Sequence, residues 1–171
     1  IMLFDNNMIR LVKTEDLQGG KRGRKGLNIK PPKNANLINT LYTTNLGLIS
    51  AFTNQGRMYN FALTELDYNK DYSIYEVISL QDNEKVMLLI DTTSFNSYHY
   101  LVTVSKNGYI KKTSVKEYNT RAKKGVTAVK LENDSLIGVY LTNNEADKIF
   151  IASNRGISRS EERFSRNAET D

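Results

Sequence analysis

One turn motif recurs along this 171-residue chain at nearly constant spacing, and that recurrence constrains the fold more than any other feature. A strand-like run, a two-residue Asn/Gly-type turn and a strand opening on a basic or aromatic residue appear four times. They are FDNNMIRLVKTEDL from Phe4, FTNQGRMYNFALTEL from Phe52, VSKNGYIKKTSVKEY from Val104 and ASNRGISRSEERF from Ala152. Aligning Asn7, Gly56, Gly108 and Gly156 gives intervals of 49, 52 and 48 residues. A hairpin turn that needs a positive φ explains glycine there, and asparagine best replaces glycine in that conformation. Each interval has room for about four short strands, the size of one propeller blade. Chance recurrence of Asn-Gly hairpins in an ordinary β-sandwich is the competing reading.

Other runs agree with an all-β class. Leu46–Thr53, Val86–Asp91, Tyr98–Ser105, Gly125–Leu131, Leu136–Thr142 and Lys148–Ser153 are rich in β-branched and aromatic residues and bounded by Asn, Gly, Asp or Ser. Helical periodicity is poor throughout. The chain has no cysteine and a single histidine, His99, which excludes disulfides, thiol chemistry and two-histidine metal motifs. No role is assigned to His99. The acidic triplets Asp82-Asn83-Glu84 and Glu132-Asn133-Asp134 read as solvated loops, not as a metal cage, so no metal site is expected. No apolar run approaches the roughly 18 residues of a membrane span, and no signal-peptide pattern is present. The expectation is a cytoplasmic protein without a membrane partner.

Charge follows the repeat. Residues 1–33 hold eight basic residues and three acids, a surplus equal to the whole net charge of +5. Residues 108–125 carry six basic residues against Glu117, while 34–107 and 126–154 are net acidic. The first surplus centres on LQGGKRGRKGLNIK, Leu17–Lys30, in which Gly19, Gly20, Gly23 and Gly26 bracket Lys21, Arg22, Arg24 and Lys25. Glycines let a loop lie close to a phosphate chain, and the cations neutralise phosphates with release of counterions. Such a loop positions a backbone without reading base edges. A merely solvated basic loop is the bland alternative. The third repeat has Arg121, Lys123 and Lys124 closing on Gly125 at the same place, and the fourth has Arg159, Arg163 and Arg166. The second has LDYNKDYSIYEVISL, acidic and aromatic, and is expected to contribute little.

These segments resemble the C-terminal domain of the A subunit of bacterial type IIA topoisomerases, DNA gyrase or topoisomerase IV. The resemblance covers essentially the whole chain. It is carried by LISAFTNQGRMYNFALTEL, VSKNGYIKKTSVKEYNTRAKKGVTAVKL, SLIGVYLTNNEADKIFIASNRGISRSEERFSR and the Gly-rich loop. The gyrase subunit carries a signature of the form Gln-Arg-Arg-Gly-Gly-Lys-Gly on its first blade, and GKRGRKG, Gly20–Gly26, is similar. Lys21, Arg22, Gly23, Lys25 and Gly26 match in kind. Gly20 stands where the glutamine is expected, and Arg24 replaces the second central glycine. The box leans towards gyrase without deciding against topoisomerase IV.

The resemblance implies a β-pinwheel, a propeller-like disc of four-stranded antiparallel blades of roughly 50 residues each, with strands exchanged between neighbours. It implies a single DNA-wrapping domain over 1–171, with repeats beginning near 1, 52, 104 and 152. At about 3.4 repeats, the disc is expected to be incomplete in this fragment. Duplex DNA would bend around a basic rim. The residues implied are Arg10, Lys13, Lys21, Arg22, Gly23, Arg24, Lys25, Gly26, Lys30, Lys111, Lys112, Arg121, Lys123, Lys124, Arg159 and Arg163. No catalytic residue or cofactor is expected in the segment. The family's catalytic tyrosine, and the ATP and Mg of the full enzyme, belong to parts that do not align here. The ATPase B subunit, like a second A subunit, would be met through those parts, and a nucleoid-associated location follows. A propeller-like module binding an acidic protein is the alternative from a different class.

Overall fold

The structure, a computed structural model, describes residues 1–17, 29–64, 66–92, 100–118, 125–143, 150–153 and 156–159, the last two stretches as backbone only. It is all-β, with one-turn 3-10 helices at Thr14–Leu17, Ile74–Glu76 and Val115–Tyr118. Thirteen strands are described. They are β1 (Met2–Phe4), β2 (Met8–Arg10), β3 (Leu37–Thr40), β4 (Leu48–Thr53), β5 (Arg57–Ala62), β6 (Asp71–Ser73), β7 (Val86–Asp91), β8 (Tyr100–Ser105), β9 (Ile110–Ser114), β10 (Val126–Thr127), β11 (Leu136–Thr142), β12 (Phe150–Ser153) and β13 (Gly156–Arg159). The run Gly125–Leu131, read as one strand from sequence, forms only the two-residue β10. Past Thr127 the amides of Ala128 and Val129 both turn to the Gly56 carbonyl instead of continuing a ladder.

The repeating unit is a hairpin. β1–β2, β4–β5, β8–β9 and β12–β13 are antiparallel neighbours. In the first three, the amides of Asn7, Gly56 and Gly108 donate to the carbonyls of Phe4, Thr53 and Ser105 at 3.0–3.1 Å. The φ values at these positions are 59°, 72° and 87°. The loops therefore hold three residues, a turn followed by one left-handed residue, and not the two read from sequence. Gly156 opens β13 opposite Ser153, and the two residues between them lie outside the described residues.

Two further marks repeat. Asn34, Asn83 and Asn133 all have positive φ, each three residues before β3, β7 or β11 begins. Each of those strands then pairs with the first hairpin strand of its repeat through a bulge. The ladder skips Ile38, Met87 and Ile137.

The fourth strand of a blade comes from the next repeat. The sheet orders are β3-β1-β2-β6 and β10-β5-β4-β7. β6 follows the second hairpin in the chain yet pairs with β2 of the first, and β10 follows the third hairpin yet pairs with β5 of the second. The second repeat's Tyr68–Glu76 segment therefore belongs to the edge of blade one. This is the strand exchange of a β-pinwheel. β7 touches both β3 and β11, which places these strands on the inner side and the exchanged strands on the outer side.

The core lies between blades. Ile49, Ala51, Tyr59, Phe61 and Leu89 of blade two pack against Leu3, Ile9 and Leu11 of blade one. Phe52, Met58 and Ile90 point the other way, onto Leu101, Val115, Tyr118, Leu136 and Val139. Phe52 meets Tyr118 edge-on at 5.4 Å between ring centroids. Blade two is thus buried on both faces, which explains why β4, Leu-Ile-Ser-Ala-Phe-Thr, is buried from Ile49 onward, Ser50 and Thr53 included.

One acidic triplet departs from the sequence reading. Glu84 is 0 % exposed, so its carboxylate is not part of a solvated loop. Thr53 Oγ1 donates to Glu84 Oε1 at 2.6 Å, while Tyr59 Oη and the Gln81 amide donate to Oε2 at 2.7 and 2.8 Å. An ionised carboxylate needs such donors once water is removed. Asp134 takes the corresponding place in blade three, where a hydrogen bond from Ser105 holds its carboxyl below the usual range.

Candidate nucleic-acid interface

The geometry around the basic Gly-rich segment is defined by its two flanks. On the entering side, Asp16 Oδ2 accepts from Asn69 Nδ2 at 3.2 Å, and the Lys13 ammonium lies 5.2 Å from the centre of the Tyr68 ring. Leu11 bridges to Tyr68, and its carbonyl accepts the Asn69 amide at 2.7 Å. On the returning side, Ile29 packs with Phe4, Met8 and Val12 on the face of blade one turned away from blade two. The carbonyl of Lys30 accepts from Arg10 Nη1 at 2.9 Å. Both flanks are thereby fixed to one place, the outer edge of blade one, where β2 meets the exchanged strand β6.

Arg10 stands at the centre of this arrangement. Its Nε donates to Asp71 Oδ1 at 2.6 Å and its Nη2 to Asp71 Oδ2 at 2.8 Å, a two-pronged pair between directly opposed residues of β2 and β6. Its side chain is only 16 % exposed, and the guanidinium also lies 5.7 Å from the Phe4 ring centre. Donating to the Asp71 carboxylate raises its already high pKa, so it stays charged at any working pH. Blade two fills the same cross-strand place differently. The Tyr59 ring lies over Gly125, where an added Cβ would come within 2.4 Å of the ring. Gly125, which in the sequence closes a run of cations, therefore has a packing role.

The remaining expected residues divide as follows. Lys13, Lys30 and Lys111 are exposed. Lys112, one position along β9 from Lys111 and so on the other face of the sheet, lies 4.3 Å from the Tyr100 ring centre. Lys21, Arg22, Gly23, Arg24, Lys25, Gly26, Arg121, Lys123, Lys124 and Arg163 lie outside the described residues, as does His99. Arg159 ends β13, described as backbone only.

Sequence reasoning missed Tyr68, Asn69 and Asp71, because chain order puts their segment in an acidic second blade. Lys70, over the Tyr72 ring at 4.8 Å, belongs to the same edge. No local signal marks these residues as neighbours of Arg10. Among the described residues, no group of three His, Asp or Glu side chains could hold a metal, and no helix is long and apolar enough to cross a membrane.

Comparison with known proteins adds a lineage to this geometry. A family model described as DNA gyrase C-terminal domain, beta-propeller, matches residues 99–143. The chain is 29% identical over 164 residues to the DNA gyrase A subunit of Clostridium acetobutylicum, covering 92% of this chain and 20% of that protein. It is 30% identical over 156 residues to the Campylobacter jejuni counterpart, covering 88% and 18%. The chain thus spans about a fifth of the length of these relatives. The solved C-terminal domain of DNA topoisomerase IV superposes with a TM-score of 0.67 at 20% identity, over 83% of this chain and 45% of that one. The DNA gyrase A C-terminal domain superposes with 0.62 at 19% identity, over 94% and 54%. Hairpin period, exchanged strands and sequence likeness agree, and the chain is similar throughout to the C-terminal β-pinwheel domains of bacterial type IIA topoisomerase A subunits.

Proposed function

We propose that this domain binds and bends duplex DNA without sequence preference, on the outer edge of its blades, as the wrapping domain of a DNA gyrase A subunit. The observation that carries the reading is the fixing of both flanks of the 18–28 segment, with its four cations, to the outer edge of blade one. A tethered cluster of charge neutralises phosphates at a defined point, as bending requires and a freely wandering basic tail does not supply. Bending a 20–30 bp site by 40–90° costs on the order of 1–6 kcal/mol, which phosphate neutralisation must offset.

In this reading the domain has no chemistry of its own. Strand cleavage, ATP and Mg belong to the rest of the enzyme, as do contacts with the ATPase B subunit or with a second A subunit. Wrapping here would present a neighbouring duplex segment to the gate so that strand passage lowers the linking number. The relatives named as gyrase A subunits favour this over the crossing selection of a topoisomerase IV domain.

The test is an electrophoretic shift of linear duplex over a salt series. Binding should fall steeply with salt and be indifferent to sequence. Replacing Lys21, Arg22, Arg24 and Lys25 together by Ala should flatten the slope by about 0.9 for each phosphate no longer neutralised. In the full enzyme, supercoiling should be lost while cleavage and relaxation survive. An unshifted duplex at low salt would transfer the basic edge to an acidic protein partner.

A further inference from the structure

We infer that Arg10 serves DNA binding as a positioning residue, latching the exchanged strand β6 to the chain that returns from the basic segment, and not as a phosphate contact. The inference rests on the DNA-bending reading above and assigns its control to one side chain.

Three observations carry it. All three donor nitrogens of the Arg10 guanidinium are engaged within the protein: Nε and Nη2 on the two Asp71 oxygens, Nη1 on the Lys30 carbonyl. Its charge already faces a carboxylate at 2.6 Å, so a phosphate arriving there would have to displace Asp71. The residues it joins come from three separate parts of the chain, namely β2, the position where the basic segment ends, and β6 of the following repeat. A planar five-donor guanidinium can hold a carboxylate and a carbonyl at once, which an ammonium on a flexible stem cannot do with the same geometry. Ile29, packed beside Lys30, keeps that carbonyl within reach.

A phosphate contact and a latch give different outcomes in two substitutions, in size for one and in sign for the other. Arg10→Lys keeps the charge, so a phosphate-contacting residue would lose little affinity. Asp71→Asn removes an acid from a DNA-binding edge, so simple electrostatics would tighten binding. The latch requires both to weaken duplex binding, by about tenfold at fixed salt, with the log–log salt slope unchanged because every phosphate contact is retained. Unchanged affinity in Arg10→Lys, or tighter binding in Asp71→Asn, would overturn the inference.

Trypsin supplies a readout that needs no DNA. Cleavage of the 171-residue chain at Lys21, Arg22, Arg24 and Lys25 is followed relative to cleavage elsewhere, at a common interval below each variant's Tm. Both variants should be cut at these sites several-fold faster than the wild type. Equal rates would dismiss the latch even if DNA binding changed. If the wild-type chain shifts no duplex at all, the proposed function falls, and the tryptic rates still decide whether Arg10 holds the segment.

Discussion

Tyr59 donates its hydroxyl to Glu84 at 2.7 Å, from β5 to the turn before β7, with the tyrosine 2 % and the glutamate 0 % exposed. The pair lies at the junction of blades one and two. The Glu84 carbonyl accepts from the side chain of Asn7 at 3.0 Å, and the Tyr59 hydroxyl accepts from Arg57 Nε at 3.1 Å. Arg57 in turn donates to the Gly125 carbonyl at 2.8 Å, beside the exchanged strand β10. Through its carbonyl, and through Tyr59 and Arg57 beside its carboxylate, one buried glutamate thus links a hairpin, its neighbour's turn and a strand from the next repeat.

Glu84→Gln should destabilise the domain by about 2–3 kcal/mol, because an amide nitrogen would face donors that are now satisfied by carboxylate oxygen. Tyr59→Phe should cost about 1–2 kcal/mol for the same missing bond. Chemical denaturation of each single variant and the double measures the coupling. Near-additivity would mean that the pair does not act as a unit.

Asn7→Gly separates two roles of one residue. Glycine tolerates the φ of 59° as well as asparagine does, so the turn survives. What disappears is the bond from Asn7 Nδ2 to the Glu84 carbonyl and the one from the Val86 amide to Asn7 Oδ1, both joining blade one to blade two. The expected cost is about 1–3 kcal/mol, read from the denaturation midpoint with an unchanged m-value.

Gly56 and Gly108 share a turn position but not a tolerance. A Cβ at Gly56 would lie 2.4 Å from the Val129 carbonyl oxygen, whereas at Gly108 it would meet nothing within 4 Å. Gly108→Ala should cost about 1–2 kcal/mol from its positive φ alone, and Gly108→Asn less. Gly56→Asn should be as damaging as Gly56→Ala, since the obstacle is backbone. Soluble yield and Tm of the four variants check this ordering.

Alkaline pH should loosen the fold. Burial pushes the hydroxyls of Tyr59 and Tyr118 above the usual tyrosine value, with the bond to Glu84 adding to it for Tyr59. Folding therefore favours the protonated form. Their contribution is complete below about pH 10 and fades as pH rises through the elevated folded values. A Tm profile from about pH 8 to about pH 11 should fall at its upper end, and Tyr118→Phe should fall less steeply. At the acid end, the lowered carboxyls of Asp5 and Asp134 give stability that is present above about pH 4 and lost below it.

The hairpins and their period are legible in the chain alone. Asn7, Gly56 and Gly108 announce their turns because a positive φ is a local demand, satisfied by a few residue types within a short stretch of chain. The same physics marks Asn34, Asn83 and Asn133, which a search for repeated left-handed asparagines would have found. Which strand completes which blade was settled only in the folded molecule. Asp-Tyr-Ser of β6 has no apolar alternation to name its partner. Its place beside β2 depends on Arg10 meeting Asp71 across 61 residues of chain and on the Ile74 amide reaching the Asn7 carbonyl. Glu84 reads as solvated for the same reason: its donors Thr53 and Tyr59 lie 31 and 25 residues away. Turn chemistry is written within a few residues, whereas strand pairing and burial are set by what the rest of the chain brings alongside.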